Sequence, residues 1–212
     1  MTTNTYGIDG CKAGWVITHY NQKNIVVDIS DTLFNFPFKP HAQIIIDMPV
    51  HCSKSLNDYP RKSDIDAKKK LGRWHSRVFY APLTSWLSSD YLTINAECAQ
   101  FQKPKLSKQS FNLFKKIAEL QRFSNENSNL TIIESHPELV FQFLNQGIAL
   151  ESKKSKLAQQ LRYTLLTKAF KNQNLLKTCP YRDCKLDDIY DAYSMLWVAS
   201  HLEKNPFLHS LD

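Results

Sequence analysis

YGIDGCKAGWVITHYNQKNIVVDI (6–29) holds three short β-prone runs separated by two turns. YGID is apolar and ends on an acid. GCKAG supplies two glycines and a turn, and WVITHY (15–20) returns as a second strand. NQKN is a polar turn, and the β-branched IVVDI (25–29) reads as a third strand. The stretch predicts a meander of three antiparallel strands. Further on, QIIIDMP (43–49) is a near-continuous apolar run closed by Pro49, as expected of a central strand buried on both faces. LTIIES (130–135) is a fifth candidate strand.

Between and after these runs the pattern turns helical. DTLFNFPFKP (31–40), broken by two prolines, has room for one short helical turn. DIDAKKKLG, capped by Ser63 or Asp64 and closed by Gly72, predicts a helix. TSWLSS leads toward another, and TINAECAQFQKP is helical in part before Pro104. SKQSFNLFKKIAELQRFSNEN reads as one helix with Phe111, Phe114, Ile117 and Leu120 near one face and Ser107 or Ser110 as cap. HPELVFQFLNQG starts with Pro137 in the first turn and stops by Gly147. KKSKLAQQLRYTLLTKAF (153–170) is expected to turn Leu157, Leu161, Leu165 and Phe170 inward. KLDDIYDAYSMLWVASHLE (185–203) carries the broadest apolar face, Ile189, Ala192, Tyr193, Leu196, Val198 and Ala199. The order predicts an α/β fold: a mixed five-stranded sheet, three antiparallel strands then parallel ones, flanked by helices. One domain over 1–212 is expected, with a helical insertion at about 60–125 that caps one end of the sheet.

Charge is unevenly spread. The net formal charge is +7, and thirteen basic against five acidic residues fall within 61–122, which raises the expectation of a polyanionic partner, nucleic acid first. Only five glycines occur, and GIDGCKAG lacks the GK[ST] of a phosphate-cradling loop. The five cysteines form no CxxC, and the start, Met-Thr-Thr-Asn-Thr, carries no basic region or apolar run. Reduced thiols, a cytoplasmic location and no membrane partner are therefore expected.

Acids mark the candidate site. Asp9 and Asp47 each end an apolar strand, and strand ends converge in a sheet. Asp187, Asp188 and Asp191 sit at the start of the last helix, on one face by their three- and four-residue spacing. Together they would enclose one point, and hard oxygen ligands of that kind suit Mg²⁺ or Mn²⁺. Glu134, His136 and Glu138 form a second group: Glu134 to complete a metal shell, His136 to move a proton or touch phosphate. Each acid alone also serves as a strand end, turn or helix cap. A basic strip follows, in which Lys62, Lys69, Arg73 and Arg77 line up if they share one helix; such a strip holds a phosphate backbone.

GIDGCKAGW, IDMP, RKSDIDAKKKLG followed by VFYAP, IIESHPE and DDIYDAY, in that order over about 6–200, resemble the DUF429 family, predicted nucleases with an RNase H-like fold. The resemblance implies Mg²⁺- or Mn²⁺-dependent cleavage of nucleic acid, with Asp9, Asp47, Asp188 and Asp191 as metal ligands and Glu134 joining them in catalysis. Lys12, Arg61, Asp64, Lys69, Arg73, His136 and Glu138 become candidates for substrate contact. One departure is the KKK after Asp66, where the family carries a small residue then arginine; lysine keeps the charge but loses the two-pronged geometry. Two rivals stand beside a nuclease: a non-catalytic nucleic-acid or protein-binding module on the same fold, and a nucleotide-dependent phosphotransferase.

Overall fold

In a computed structural model that describes residues 4–151, 155–171 and 173–202, the meander forms as expected. β1 (Thr5–Cys11), β2 (Gly14–Asn21) and β3 (Asn24–Ser30) pair antiparallel in turn, with Ile8 opposite Ile17 and Ile17 opposite Asp28. β4 (Gln43–Ile46) runs parallel to β1, Ile8 opposite Ile46, and β5 (Thr131–Glu134) parallel to β4. The order is β3-β2-β1-β4-β5, a mixed five-stranded sheet in an α/β fold. Ile44, Ile45 and Ile46 are all buried, which is why that strand reads as an unbroken apolar run rather than an alternating one.

The described chain divides into two compact units: residues up to Met48 with those from Phe123 onward, and Pro49–Arg122. The first unit holds the sheet with α5 (Pro137–Leu144), α6 (Lys156–Ala169) and α7 (Leu186–His201). α7 packs along β1 and also touches β2 and β4, and α5 and α6 pack on α7. Its six expected core residues, from Ile189 to Ala199, are buried. Thr18 fastens helix to sheet: its fully buried hydroxyl lies 3.0 Å from Gly7 O and 2.9 Å from Ala192 O.

The register of α6 corrects the sequence expectation. Leu157 is 79% exposed and Leu161 39% exposed, whereas Ala158, Arg162 and Leu166 are buried. The four-residue period is right, but the helix is turned by one residue, because the buried position opposite α5 and α7 calls for a cation rather than a leucine. Phe170 is buried as expected, and Leu165 packs partly buried against the core. Lys153, Lys154 and Glu203 of the expected helices lie outside the described residues.

The second unit contains α1 (Lys62–Leu71), α2 (Tyr91–Gln100) and α3 (Lys108–Asn112), and the division falls within α4 (Phe114–Glu126). The single helix expected over 107–127 is thus two, broken at Leu113, with Ser107 capping the first through Ser110 N–H. TSWLSS forms a 3-10 turn, Thr84–Ser88. α1 ends at Gly72, whose φ of 54° suits glycine, and a 3-10 segment, Gly72–Arg77, follows. Lys62 and Lys69 therefore do not share one helix with Arg73 and Arg77. Those two arginines instead lie over the Trp74 ring, at 4.9 and 4.1 Å.

Asp64 is the electrostatic centre of this unit. It is fully buried, receives Arg61 Nε and Nη2 on its two oxygens and takes the Ala81 N–H at 2.8 Å. Arg61 also donates to His51 O at 2.6 Å, so the pair ties three chain segments together. Asp64→Ala strands a largely buried guanidinium and a buried N–H. We expect it to cost about 3 kcal/mol in urea unfolding of the full chain, at the lower end for breaking a buried pair. A loss below about 1 kcal/mol would show that Asp64 carries no structural weight.

Candidate metal centre

Strand alternation sends residues i and i+2 to one face. On β1 this groups Gly7, Asp9 and Cys11; Gly7 packs against α7, and Cys11 lies in the core that α7 builds. On β4 it groups Ile45, in that same core, with Asp47, the residue just past the strand. β1 and β4 are parallel, and Asp47 N–H donates to Ile8 O at 3.0 Å, so both acids leave the same end of neighbouring strands. Asp191, in the second turn of α7, comes down onto them. Asp9 is 7% exposed and Asp191 3%. One carboxylate oxygen from each of Asp9, Asp47 and Asp191 lies within 4.8 Å of the others. Asp9 Oδ1 also accepts the Gly10 N–H at 2.7 Å, which fixes its rotamer.

The donor chemistry fits a hard divalent cation: three carboxylates on rigid elements, with no thiolate among them. Two of the three, Asp9 and Asp191, are nearly out of solvent, and charges clustered in that way need positive charge nearby. A neighbouring oxygen agrees. Ser135 follows β5, shares the Asp47 face by alternation from Ile133, and is buried with no hydrogen-bond partner for its hydroxyl among the described residues. Nothing in the sequence singled out Ser135.

Glu134 points the other way. Its register partner is Ile46, so alternation places it on the face opposite Asp47. His136 spans the gap at the sheet end: Nδ1 is 3.8 Å from Asp47 Oδ1 and Nε2 3.9 Å from Glu134 Oε1. An imidazole between two carboxylates can hold a proton and pass it on. Tyr190, next to Asp191, is pushed up to about 12 by burial and so stays a phenol near neutral pH.

Glu138 turns toward α6. Its Oε1 accepts from Arg162 Nη2 at 2.6 Å, and Arg162 Nη1 stands 3.5 Å from Asp191 Oδ1. Arg162 was not among the residues expected here.

Asp188 and Asp187 act at the helix start. Asp188 Oδ2 accepts the Lys185 N–H at 2.9 Å, and Asp187 Oδ1 accepts from Gln159 Nε2 at 2.9 Å. The three-acid cluster thus takes Asp191 alone from α7. Of the basic candidates in the first unit, Lys12 donates to Asp183 Oδ1 at 2.6 Å, and that hydrogen bond and charge raise its ammonium. In the second unit Lys69 is exposed and pairs loosely with Asp66 at 3.6 Å. Arg61 and Asp64 hold each other, and Arg73 lies over Trp74. Among the described residues, no helix is long and apolar enough to cross a membrane.

No curated protein and no solved structure matches the chain. A family model described as "Protein of unknown function (DUF429)" matches residues 7–206, nearly the whole sequence, and the chain belongs to that family.

Proposed function

We propose that the protein is a divalent-metal-dependent phosphodiester hydrolase, a nuclease of the RNase H-like kind, with Asp9, Asp47 and Asp191 holding the cation. One observation carries this reading: three carboxylates from β1, β4 and α7, far apart in sequence, offer oxygens within 4.8 Å of one another. Mg²⁺ or Mn²⁺ bound there would supply an acidified water and charge stabilisation at a phosphate. The chain's own residues do the rest. Asp9 is held in place by the Gly10 N–H and offers one oxygen to the cluster. His136, between Asp47 and Glu134, holds a proton at Nδ1 or Nε2 and delivers it to the leaving oxygen. The basic excess within 61–122 favours a polyanionic substrate, whose binding should weaken with salt.

The test is a cleavage screen of the full chain on labelled single-stranded, duplex and branched DNA and RNA, in Mg²⁺, Mn²⁺ and excess EDTA. We expect cleavage of at least one substrate in metal, lost in EDTA and restored by adding Mn²⁺. Absence of cleavage on every substrate, together with no heat of Mn²⁺ binding, would overturn the reading. A second reading, a binding module that keeps its acids for structure, draws on Arg162, which already places a cation beside Asp191. On that reading Asp47→Asn preserves stability and Mn²⁺ has no effect on either protein.

A further inference from the structure

Arg162 is fully buried on α6, a helix whose amphipathic pattern alone would have placed leucines inward. A guanidinium stays charged at any physiological pH, so a buried one must be matched by anions. Glu138 on α5 takes Nη2 at 2.6 Å, within the range of a charge-assisted bond. The Phe141 ring lies 4.4 Å from the guanidinium carbon, and Nη1 leans toward Asp191 Oδ1 at 3.5 Å. Nε and Nη1 make no hydrogen bond among the described residues. One arginine therefore serves two acids, firmly held by Glu138 and loosely shared with Asp191.

We propose that Arg162 is a positioning residue and internal counter-cation of the acid cluster. Resting on the reading of Asp9, Asp47 and Asp191 as a divalent-cation site, this assigns Arg162 two consequences. Anchored by Glu138, it balances the charge of Asp191 while no metal is bound. Its fixed charge also repels an incoming cation, which holds affinity in a range where metal exchanges rather than stays locked. Glu138 is then the residue that holds Arg162 in place, not a substrate contact.

The experiment is thermal unfolding and Mn²⁺ calorimetry on the full chain as wild type, Arg162→Met, Asp191→Asn and the double variant. Without metal, Arg162→Met should lower the melting temperature by roughly 10 °C, and by clearly less when Asp191 is already Asn. With metal, Arg162→Met should bind Mn²⁺ roughly tenfold tighter than wild type. A purely structural arginine predicts additive losses and unchanged or weaker Mn²⁺ binding, and either result overturns the proposal. Should the methionine variant not fold, Arg162→Lys carries the test, since it keeps the charge. Its Mn²⁺ affinity should then stay within about threefold of wild type, and a larger change counts against the proposal. If wild type shows no Mn²⁺ response, the metal reading falls, and the metal-free comparison still decides Arg162: coupling to Asp191 supports the counter-cation, additivity removes it.

Discussion

Asp9→Asn should reduce metal-dependent cleavage by roughly a thousandfold, while the protein without metal is as stable as wild type or more so. The two effects have one cause. Asp9 is an almost buried carboxylate beside Asp47 and Asp191, so the three negative charges repel one another. The amide has the same shape and can still accept the Gly10 N–H through its oxygen, so the backbone at the end of β1 is kept. What it loses is one of the charges that would bind a hard cation. Metal-assisted stabilisation of a phosphoryl transition state amounts to several kcal/mol, and about 4 kcal/mol corresponds to the stated loss. Cleavage rates in Mn²⁺ measure the first effect, and melting with and without Mn²⁺ measures the second. Asp188→Asn is the internal contrast: its amide oxygen can still accept the Lys185 N–H, so it loses only a negative charge at the helix start and should cost about 0.5 kcal/mol of stability and leave Mn²⁺ affinity unchanged. Equal Mn²⁺ binding by wild type and Asp9→Asn would remove the cluster from the chemistry, and a large affinity loss in Asp188→Asn would move the metal toward the helix start.

The contrast between Asp188 and Asp191 shows what is legible in a sequence of this kind. The strands and their order are readable because β-branched runs broken by polar turns have few ways to pair, and Ile44–Ile46 can be satisfied only in the middle of a sheet. Asp9 and Asp47 are readable because an acid ending an apolar strand has little choice of address. On α7 the spacing gives a shared face but not a direction. Asp188 sits where the first-turn N–H groups want an acceptor, and it turns back to serve them. Asp191, one turn further in, is buried and meets Asp9 and Asp47 at the sheet end. Arg162 was invisible for another reason. Apolar periodicity on α6 favours Leu157 and Leu161, and only knowledge of Glu138 and Asp191 on other helices makes an inward arginine cheaper than an inward leucine. Local pattern finds elements and strand ends; the choice between two faces of a helix is made by charges distant in the chain.

Gly7→Ala should cost at least about 4 kcal/mol, more than overpacking usually costs, and remove the metal response along with the fold. A methyl group at Gly7 would stand 2.0 Å from Leu196 N, 2.3 Å from Ala192 O and 2.7 Å from Leu196 Cα. All three are backbone atoms of α7, so no rotamer change relieves the clash, and the helix itself must lift from β1. Lifting it breaks the Thr18 link between Gly7 O and Ala192 O and opens the most buried stretch of the core. It also moves Asp191, one residue from Ala192, away from Asp9, two residues from Gly7. The glycine that admits α7 to the sheet is thus what lets a helix acid reach strand acids, so stability and the site should fail together. Urea unfolding and Mn²⁺ calorimetry on Gly7→Ala check both, with Gly72→Ala as a control for glycine loss: nothing lies within 4 Å of a methyl there, so its cost, about 1–3 kcal/mol, comes only from a backbone of φ 54° and ψ −118° that alanine rarely adopts, and Mn²⁺ binding should be kept. A Gly7→Ala protein that folds with wild-type stability would mean that α7 does not rest on β1 as described, and the meeting of Asp191 with Asp9 and Asp47 would go with it.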